Sequence, residues 1–424
     1  MLPRILQNPS EKLIWPRALS SLQYQGYRVF LLGQAVALLG TWVQGTAQRW
    51  LILELTGSTF YVGLLGMVTG LPILGFALVG GMLADRLPKI SFLILIHTLI
   101  LLQALILGFL VQSGAISVSL LLLLASVLGA GMAFEVPARQ SLVFDLVGRH
   151  DITNGIAIHS AVFNLSRFAG PALAGVLMSA GFMAHCFFFK AASSLCIMAS
   201  LLYVKKRYQG LNRPLRPSPG TAFESIKEAL KFVAGHEILS RVLVTIMAFG
   251  ILLLPYSILL PSLGRDVLGL GAREYGFMCA ANGLGALAGA VFVAVFGHRG
   301  RREVWWWAGA ILFPASIVPV ALAQDFSQIS VFLFLSGFVM VLASTSGLSI
   351  LQIEVTNELR GRIMGLFSTC FMGLFPFGSL LQGIVAEHAG TRITMAGCAA
   401  AGLFISILLF ITKGKSRGKN EKNR

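Results

Sequence analysis

Apolar stretches of roughly 20 residues recur along the whole chain, and short polar turns separate them. An α-helix needs about 20 apolar residues to cross the hydrocarbon core of a bilayer. Because a single helix pairs its own backbone groups, these stretches predict transmembrane helices rather than strands. The predicted spans lie near residues 28–52, 60–84, 90–111, 117–136, 154–178, 183–204, 238–262, 274–297, 304–323, 328–350, 363–386 and 393–412.

One long polar segment, residues 205–237, divides the twelve spans into two sets of six. Its prolines are typical of an extended linker. Residues 222–233 have an amphipathic pattern, which predicts a surface helix at the membrane interface. The predicted organisation is a cytoplasmic tail, a six-helix bundle, the linker, a second six-helix bundle and a basic tail, at 1–27, 28–204, 205–237, 238–412 and 413–424.

The two halves show signs of an internal repeat. Aligning them places Gln140 on Gln352, each in the turn after the fourth span of its half. Paired repeats of this kind are typical of secondary transporters, with a substrate site near mid-membrane. The predicted fold class is an all-α membrane protein with two pseudo-symmetric six-helix bundles.

Composition supports this interpretation. The chain is 56% hydrophobic and 12% charged, with a mean hydropathy of +0.80, which excludes an ordinary soluble domain. The five cysteines fall within apolar spans and have neither metal-ligand nor disulfide spacing. Residues 1–27 are polar and basic, and no cleavable signal peptide is predicted.

The net charge of +16 could indicate a nucleic-acid partner, but the position of the charges argues for a membrane. Most Lys and Arg residues fall in the tails and turns on one side. This asymmetry predicts that both termini are cytoplasmic. We expect contact with lipid and no nucleic-acid partner. The exceptions are Arg167 and Lys190 within spans, and four arginines on the opposite side: Arg49, Arg265, Arg273 and Arg392.

A charged hairpin joins the second and third spans, where residues 81–89 read GMLADRLPK. This sequence resembles the G-x-L-A-D-R-x-x-K signature between helices 2 and 3 of the major facilitator superfamily. Pro88 and Ile90 depart from that pattern, which usually has a glycine and a second base there. The resemblance implies a gate at the cytoplasmic surface.

Elementary physics gives each hairpin residue a role. Gly81 allows close helix approach, and Asp85 suits the positive N-terminus of another helix. Arg86 and Lys89 are expected to face anionic lipid headgroups. A solvated hairpin that only obeys the positive-inside rule accounts for the two bases and leaves Asp85 unexplained. We therefore expect a gating role for Asp85.

Further motifs narrow the resemblance. GTWVQ at 40–44, LTGS at 55–58, PARQ at 137–140 and ELRGR at 358–362 together resemble the branch that contains bacterial enterobactin exporters and related drug and secondary-metabolite exporters. The resemblance implies a twelve-helix exporter of the cytoplasmic (inner) membrane. The resemblance does not identify the substrate.

Residues 170–175, GPALAG, resemble the core of the antiporter signature of that superfamily. Gly170 and Gly175 permit close helix packing and Pro171 bends the helix. The resemblance implies antiport, with protons as the expected coupling ion. Ser166 and Ala174 replace family glycines, and an ordinary kinked packing helix is the alternative.

Ser160, Asn164 and Arg167 share one face of the fifth span. A charged residue in mid-membrane usually faces the bundle interior or a water-filled cavity. We expect this face to line a substrate cavity. A structural arginine paired to carbonyls or a carboxylate is the alternative.

Two more ionisable residues lie in predicted spans. Glu135 is the only carboxylate that we place inside a span, so it is the candidate for proton coupling. Its spacing to Arg139 favours a local ion pair instead. Lys190 lies about two turns from the outer surface. It either extends its ammonium to that surface or stays buried to bind an anion or titrate.

Polar residues on the first span could complete a cavity wall: Gln34, Thr41, Gly45 and Gln48, with Asn282 from the eighth span. Hydrogen bonds between helices are the competing use. The sequence has no phosphate-binding loop, so an ATP-driven pump is not predicted. It has no evident catalytic or metal-ligand cluster, so neither an enzyme nor a cofactor is predicted.

These observations predict a monomeric secondary transporter that exports a small amphiphilic molecule by alternating access. Siderophore-like and drug-like compounds are the leading candidates for the substrate. A lysophospholipid flippase of the same fold is one alternative. A non-transporting membrane receptor or assembly protein is another, and the polar stripes of the first and fifth spans argue against it.

Overall fold

A computed structural model describes residues 17–208, 230–296, 302–355 and 359–422, without the side chains of 17–18, 77–86, 149, 360–361 and 413–422. Several predictions fall on other positions. The side chains of Gly81, Asp85 and Arg86, most of the 205–237 linker with its amphipathic segment, and the side chains of the basic tail lie outside the described residues.

The described part of the chain contains helices and no strands. Twelve of the helices are long and apolar enough to cross a membrane, which confirms the predicted number of spans. They are α1 Gln25–Thr56, α2 Thr59–Arg86, α3 Lys89–Gln112, α4 Val118–Gly148, α5 His150–Ser179, α6 Met183–Arg207, α7 Glu237–Val267, α8 Ala272–Phe296, α9 Arg302–Leu322, α10 Phe326–Glu354, α11 Arg362–Ala389 and α12 Thr391–Lys422.

Local chemistry explains where several helices begin and end. The Ser117 hydroxyl accepts a hydrogen bond from the backbone N–H of Leu120, which caps α4. Asp325 caps α10 in the same way. The break between α4 and α5 lies at Gly148, the last residue of α4, with φ of 74° and ψ of 175°. A positive φ favours glycine, so the two spans join without a loop.

Two of the spans contain π turns. In α7 they cover Phe249–Leu253 and Leu263–Val267, and in α11 the turn covers Thr369–Gly373. The turns at 249–253 and 369–373 lie against each other, because a Cβ on Gly250 would come within 2.3 Å of the Cys370 carbonyl oxygen. Such turns are frequent at functional sites.

The chain divides into two compact units. The first comprises Met1–Gln48 and Leu71–Ser218, and the second comprises Arg49–Gly70 and Pro219–Arg424. The core of the first unit is an apolar cluster that contains Tyr27, Phe30 and Ile197.

Glycines bring helices of the second unit into direct backbone contact. A Cβ on Gly285 of α8 would lie 1.9 Å from the Phe334 carbonyl oxygen of α10, and one on Gly289 would lie 2.6 Å from that of Phe338. This Gly-x-x-x-Gly spacing is typical of close helix pairs in membranes.

The C-terminal end of α1 and the N-terminal end of α2 pack within the second unit. A Cβ on Gly63 of α2 would lie 2.5 Å from the Ser379 carbonyl oxygen of α11. The Glu387 carboxylate of α11 accepts hydrogen bonds from Ser58 Oγ at 2.9 Å, Thr59 Oγ1 at 2.9 Å and the Phe60 backbone N–H at 3.2 Å. A carboxylate from one span thus caps the N-terminus of another.

Candidate functional site

A buried ionisable cluster lies in the first unit. The Arg139 Nε donates to Glu135 Oε1 at 2.8 Å, and its Nη1 contacts Nε2 of His159 on α5. The Gln34 amide of α1 is 3.4 Å from the same Glu135 oxygen. Glu135 and Arg139 are buried. Three helices therefore converge on one carboxylate.

The position of Arg139 corrects an assumption behind the predicted charge asymmetry. The sequence placed Arg139 in the turn after the fourth span, whereas the structure continues α4 to Gly148 and buries Arg139 within it. One turn of helix separates Glu135 from Arg139, so the predicted local ion pair is present. The pair compensates two charges that would be costly alone in the membrane.

Two histidines near Glu135 were missed from the sequence. His159 contacts Arg139 directly, and His97 of α3 is buried within electrostatic range of Glu135. His97 Nδ1 and His159 Nδ1 are buried without a hydrogen-bond partner in the described part of the chain. The available signal for both residues was a histidine inside an apolar stretch of the sequence.

Lys190 of α6 is buried and does not reach the outer surface. Its ammonium donates to Thr41 Oγ1 at 2.9 Å and to the Ala37 carbonyl at 3.3 Å, both on α1. Of the two predicted uses, the structure shows the buried one. Lys190 is also within electrostatic range of Glu135, so α6 adds a positive group to the cluster.

Of the polar residues predicted to line a cavity along α1, some are packed against other helices and others lie beside open space. Gln34 and Gln48 are buried, whereas Thr41 is half-buried beside Lys190. Apart from the adjoining turns of α1 itself, no atom of the described residues lies within 4 Å of the position that a Cβ on Gly45 would take, so open space adjoins the helix there. One buried contact was not predicted from the sequence: the Gln44 amide donates to Gln103 of α3 at 3.1 Å.

The predicted face of α5 lies partly against α1. The Arg167 guanidinium is 5.8 Å from the ring centroid of Trp42, and a Cβ on Gly170 would lie 2.4 Å from the Trp42 Cβ. Close packing of Gly170, with Pro171 inside the helix, is the structural use foreseen for the GPALAG segment. The Asn164 amide donates to the Ser160 carbonyl at 2.9 Å, and Ser160 is exposed.

Asn282 joins helices of the second unit. Its amide donates to Tyr256 Oη of α7 at 2.7 Å and to the Leu333 carbonyl of α10 at 3.1 Å. The side chain is buried. This is the interhelical use, the alternative to the cavity wall on which the sequence placed it.

Lys89 does not face lipid headgroups as predicted. It is buried, and its ammonium lies 2.5 Å from an Asp145 carboxylate oxygen near the C-terminal end of α4. Local sequence pattern could not predict this partner, because Asp145 follows Lys89 by 56 positions. Lys89 therefore ties α3 to α4.

A second carboxylate holds the N-terminal 3-10 helix, Arg17–Gln23, to α5. Asp151 accepts hydrogen bonds from Ser20 Oγ at 2.7 Å, Gln23 Nε2 at 3.0 Å and Tyr24 Oη at 2.9 Å. Burial and then the nearby Asp151 carboxylate raise the pKa of Tyr24 to about 12. Tyr24 thus remains a hydrogen-bond donor at physiological pH.

The arrangement can exchange protons and pair with charged groups. It offers a carboxylate, two imidazoles and an ammonium within one unit, in a low-dielectric interior where their mutual interactions are strong. Among the described residues, no group of three or more His, Cys, Asp or Glu side chains could hold a metal ion.

Comparison with known proteins gives a consistent result. The model of a family described as "Transmembrane secretion effector" matches residues 17–422. The staphyloferrin A transporter of Staphylococcus aureus is 24% identical over 403 residues, covering 93% of this chain and 98% of that protein.

Other relatives span two chemical classes of cargo. The multidrug efflux pump Tap of Mycolicibacterium fortuitum is 24% identical, with 90% and 94% of the two chains covered. The enterobactin exporter EntS of Salmonella choleraesuis is also 24% identical, with 95% and 96% covered. Among solved structures, a POT family transporter bound to a thioalcohol-conjugated peptide superposes with a TM-score of 0.73 at 11% identity, over 92% of this chain and 96% of that chain. This likeness shows the fold alone.

Proposed function

The chain belongs to the transmembrane secretion effector family of the major facilitator superfamily, and from this premise we propose that it exports a small amphiphilic molecule by alternating access. It is a multi-pass membrane transporter and not an enzyme. The names of its relatives include siderophore transporters and a multidrug pump, which supports a siderophore-like or drug-like substrate.

The coupling ion in this proposal is the proton. The observation that carries it is the buried cluster of Glu135, Arg139 and His159 in the first unit. A charged side chain at the centre of a membrane helix costs about 2.5–3.5 kcal/mol on insertion scales, and such residues mark ion pathways and proton relays. Glu135 is the proposed coupling carboxylate, and the GPALAG segment of α5 supports antiport.

The proposed setting is the cytoplasmic (inner) membrane, with a monomer whose two termini are cytoplasmic. Gly81, Asp85, Arg86 and Lys89 form the proposed cytoplasmic gate. Gln34, Thr41, Gln48, Ser160, Asn164, Arg167 and Lys190 are the proposed cavity residues. Open space beside Gly45 supports a cavity along α1.

Reconstitution of the full chain into liposomes tests the function. An imposed pH gradient should drive ethidium, as a drug-like probe, or iron-free enterobactin, as a siderophore probe, across the membrane. A protonophore should stop that movement. Failure of the gradient to move either probe, in protein shown to be folded and inserted, contradicts proton-driven export of these classes.

Glu135→Gln tests the coupling residue. Removing the carboxylate charge should reduce gradient-driven export to the level of empty liposomes, because Glu135 then no longer exchanges a proton. Probe binding to the detergent-purified variant should stay close to that of the unsubstituted chain. Glu387→Gln is the control, because Glu387 caps α2 and lies outside the cluster. Export at the unsubstituted rate by Glu135→Gln would make Glu135 a purely structural residue.

A further inference from the structure

Arg139 joins two proton acceptors that stand on different helices. Its Nε donates to Glu135 on its own helix, and its Nη1 contacts Nε2 of His159 on α5. Arg139 and Glu135 are both buried. One guanidinium thus holds α4 and α5 together through a carboxylate and an imidazole.

The contact fixes the protonation state of His159. A guanidinium has five N–H donors and no acceptor, and it stays charged in proteins. His159 Nε2 must therefore accept the hydrogen bond. The imidazole is then neutral, with its one proton on Nδ1, which is buried and has no partner in the described part of the chain.

A protonated imidazole cannot keep this contact. Both of its nitrogens would carry a proton, so an N–H of His159 would face an N–H of Arg139, and two positive charges would meet. Among the described residues, the charged groups close enough to act on His159 are Arg139 and Glu135, both on α4. A proton at His159 therefore separates Arg139 from α5 and leaves Glu135 as its remaining partner.

We propose that His159 is a second proton acceptor of the export cycle, beside Glu135, and that Arg139 is the positioning residue that transmits its charge from α5 to α4. This inference rests on the proposed proton antiport. In the step, a hydronium ion transfers a proton to Nε2 of His159 and becomes water, and the Arg139–His159 hydrogen bond breaks. Glu135 stays ionised during this step and holds Arg139, and it exchanges its own proton in another step of the cycle, so loss of Glu135 also disables the switch.

The other neighbours of Glu135 define the environment in which Arg139 is held. Gln34 of α1 contacts the carboxylate, and His97 of α3 and Lys190 of α6 lie within electrostatic range of it. Lys190 is held on α1 through Thr41 and Ala37. Arg139 is thus the member of the cluster that contacts both Glu135 and the titratable side chain of α5.

His159→Gln tests the proposal, because the Gln amide oxygen can accept from Arg139 but does not titrate. In proteoliposomes, movement of ethidium or enterobactin driven by a pH gradient should fall to the background of empty liposomes. Exchange of the same labelled probe across the membrane at equal pH should continue. His236→Gln is the matched control, since His236 is exposed at the start of α7, where its ring contacts the carbonyl and the ring of Phe232, and it is not a member of the cluster. Gradient-driven transport by His159→Gln at the unsubstituted rate overturns the proposal.

A second measurement separates this proposal from the proposed function. Solid-state NMR of the full chain in bilayers, with labelled histidine and arginine, should show His159 neutral and protonated on Nδ1 at neutral pH. Acidification should protonate Nε2 and shift the Arg139 side-chain signals in the same step, and His159→Gln should abolish the Arg139 shift.

Failure of both probes to move in the unsubstituted chain would count against export, and the NMR result would then decide the role of His159. An Nε2-protonated neutral tautomer, or titration of His159 without any change at Arg139, overturns the proposal whether or not transport occurs.

Discussion

At the scale of single residues, Lys190 shows that the role of a buried charged residue is identified from the groups that it contacts. The sequence located Lys190 inside a span and left two uses open. The structure decides between them through Thr41, which accepts its hydrogen bond from a position 149 residues earlier in the chain. Local pattern predicts which residue is costly in the membrane, and only tertiary contacts show how that cost is offset.

The same limit explains the missed histidines. Periodicity and charge identified Glu135 and its partner Arg139, because both lie on one helix at adjacent turns. His159 stands on the next helix, 20 positions from Arg139, and only the turn at Gly148 brings the two side chains together. The sequence thus predicted half of the cluster.

Arg167 gives a prediction at this scale. Arg167→Ala removes the positive charge that lies over Trp42. Binding of the polycarboxylate siderophore staphyloferrin A, which is anionic at neutral pH, should weaken by about tenfold or more, the effect of losing roughly 1.4 kcal/mol. Binding of cationic ethidium should change less. Equilibrium binding to detergent-purified protein measures both, with Arg273→Ala as the control because Arg273 lies over Phe277 in the second unit. Equal weakening of both probes would contradict a charge-selective role.

At the scale of helices, composition predicted where spans occur but not how they deviate from ideal geometry. The length rule found twelve spans because hydrocarbon thickness sets helix length. The π turns of α7 and α11 have no comparable signal, since an added residue in a turn leaves the apolar pattern almost unchanged. The Gly-x-x-x-Gly spacing of Gly285 and Gly289, by contrast, is visible in the sequence, and both glycines face the α10 backbone.

Paired glycine substitutions test this packing. Gly285→Ala places a methyl group within 1.9 Å of a backbone oxygen, so α8 and α10 must separate. We expect a loss of about 1–3 kcal/mol in stability, the usual cost of overpacking. Gly397→Ala is the control, because its added Cβ would meet no atom within 4 Å among the described residues beyond the adjoining turns of its own helix. Thermal unfolding in detergent should show a lower midpoint for the first variant only, and equal midpoints would argue against a close α8–α10 contact.

At the scale of the whole molecule, charge predicts orientation. Burial of Lys89 and Arg139 removes two bases from the surface charge but leaves the asymmetry of the tails and turns. The two-bundle organisation followed from span count and linker position alone. The assignment of residues 49–70 to the second unit did not, because it depends on contacts with α11.

Cysteine labelling tests orientation. In a variant whose native cysteines are replaced by serine, Ser113→Cys at the end of α3 should react with a membrane-impermeant thiol reagent added outside cells. Ser218→Cys in the linker should react only after the membrane is opened. Labelling of both from the same side would contradict cytoplasmic termini, and the cysteine-free chain controls for background.

Helices α1 and α2 each begin in one unit and end in the other, because the unit boundaries at Gln48–Arg49 and Gly70–Leu71 fall inside them. The polypeptide therefore crosses between the two units three times: within α1, within α2 and in the linker. Proteolytic nicking of the linker should leave a noncovalent complex that still purifies as one species. Any relative motion must therefore bend both helices near these boundaries or release residues 49–70 from contacts such as that of Gly63 with Ser379. In α2 the bend is easiest close to Pro72, where a backbone N–H is missing from the helix.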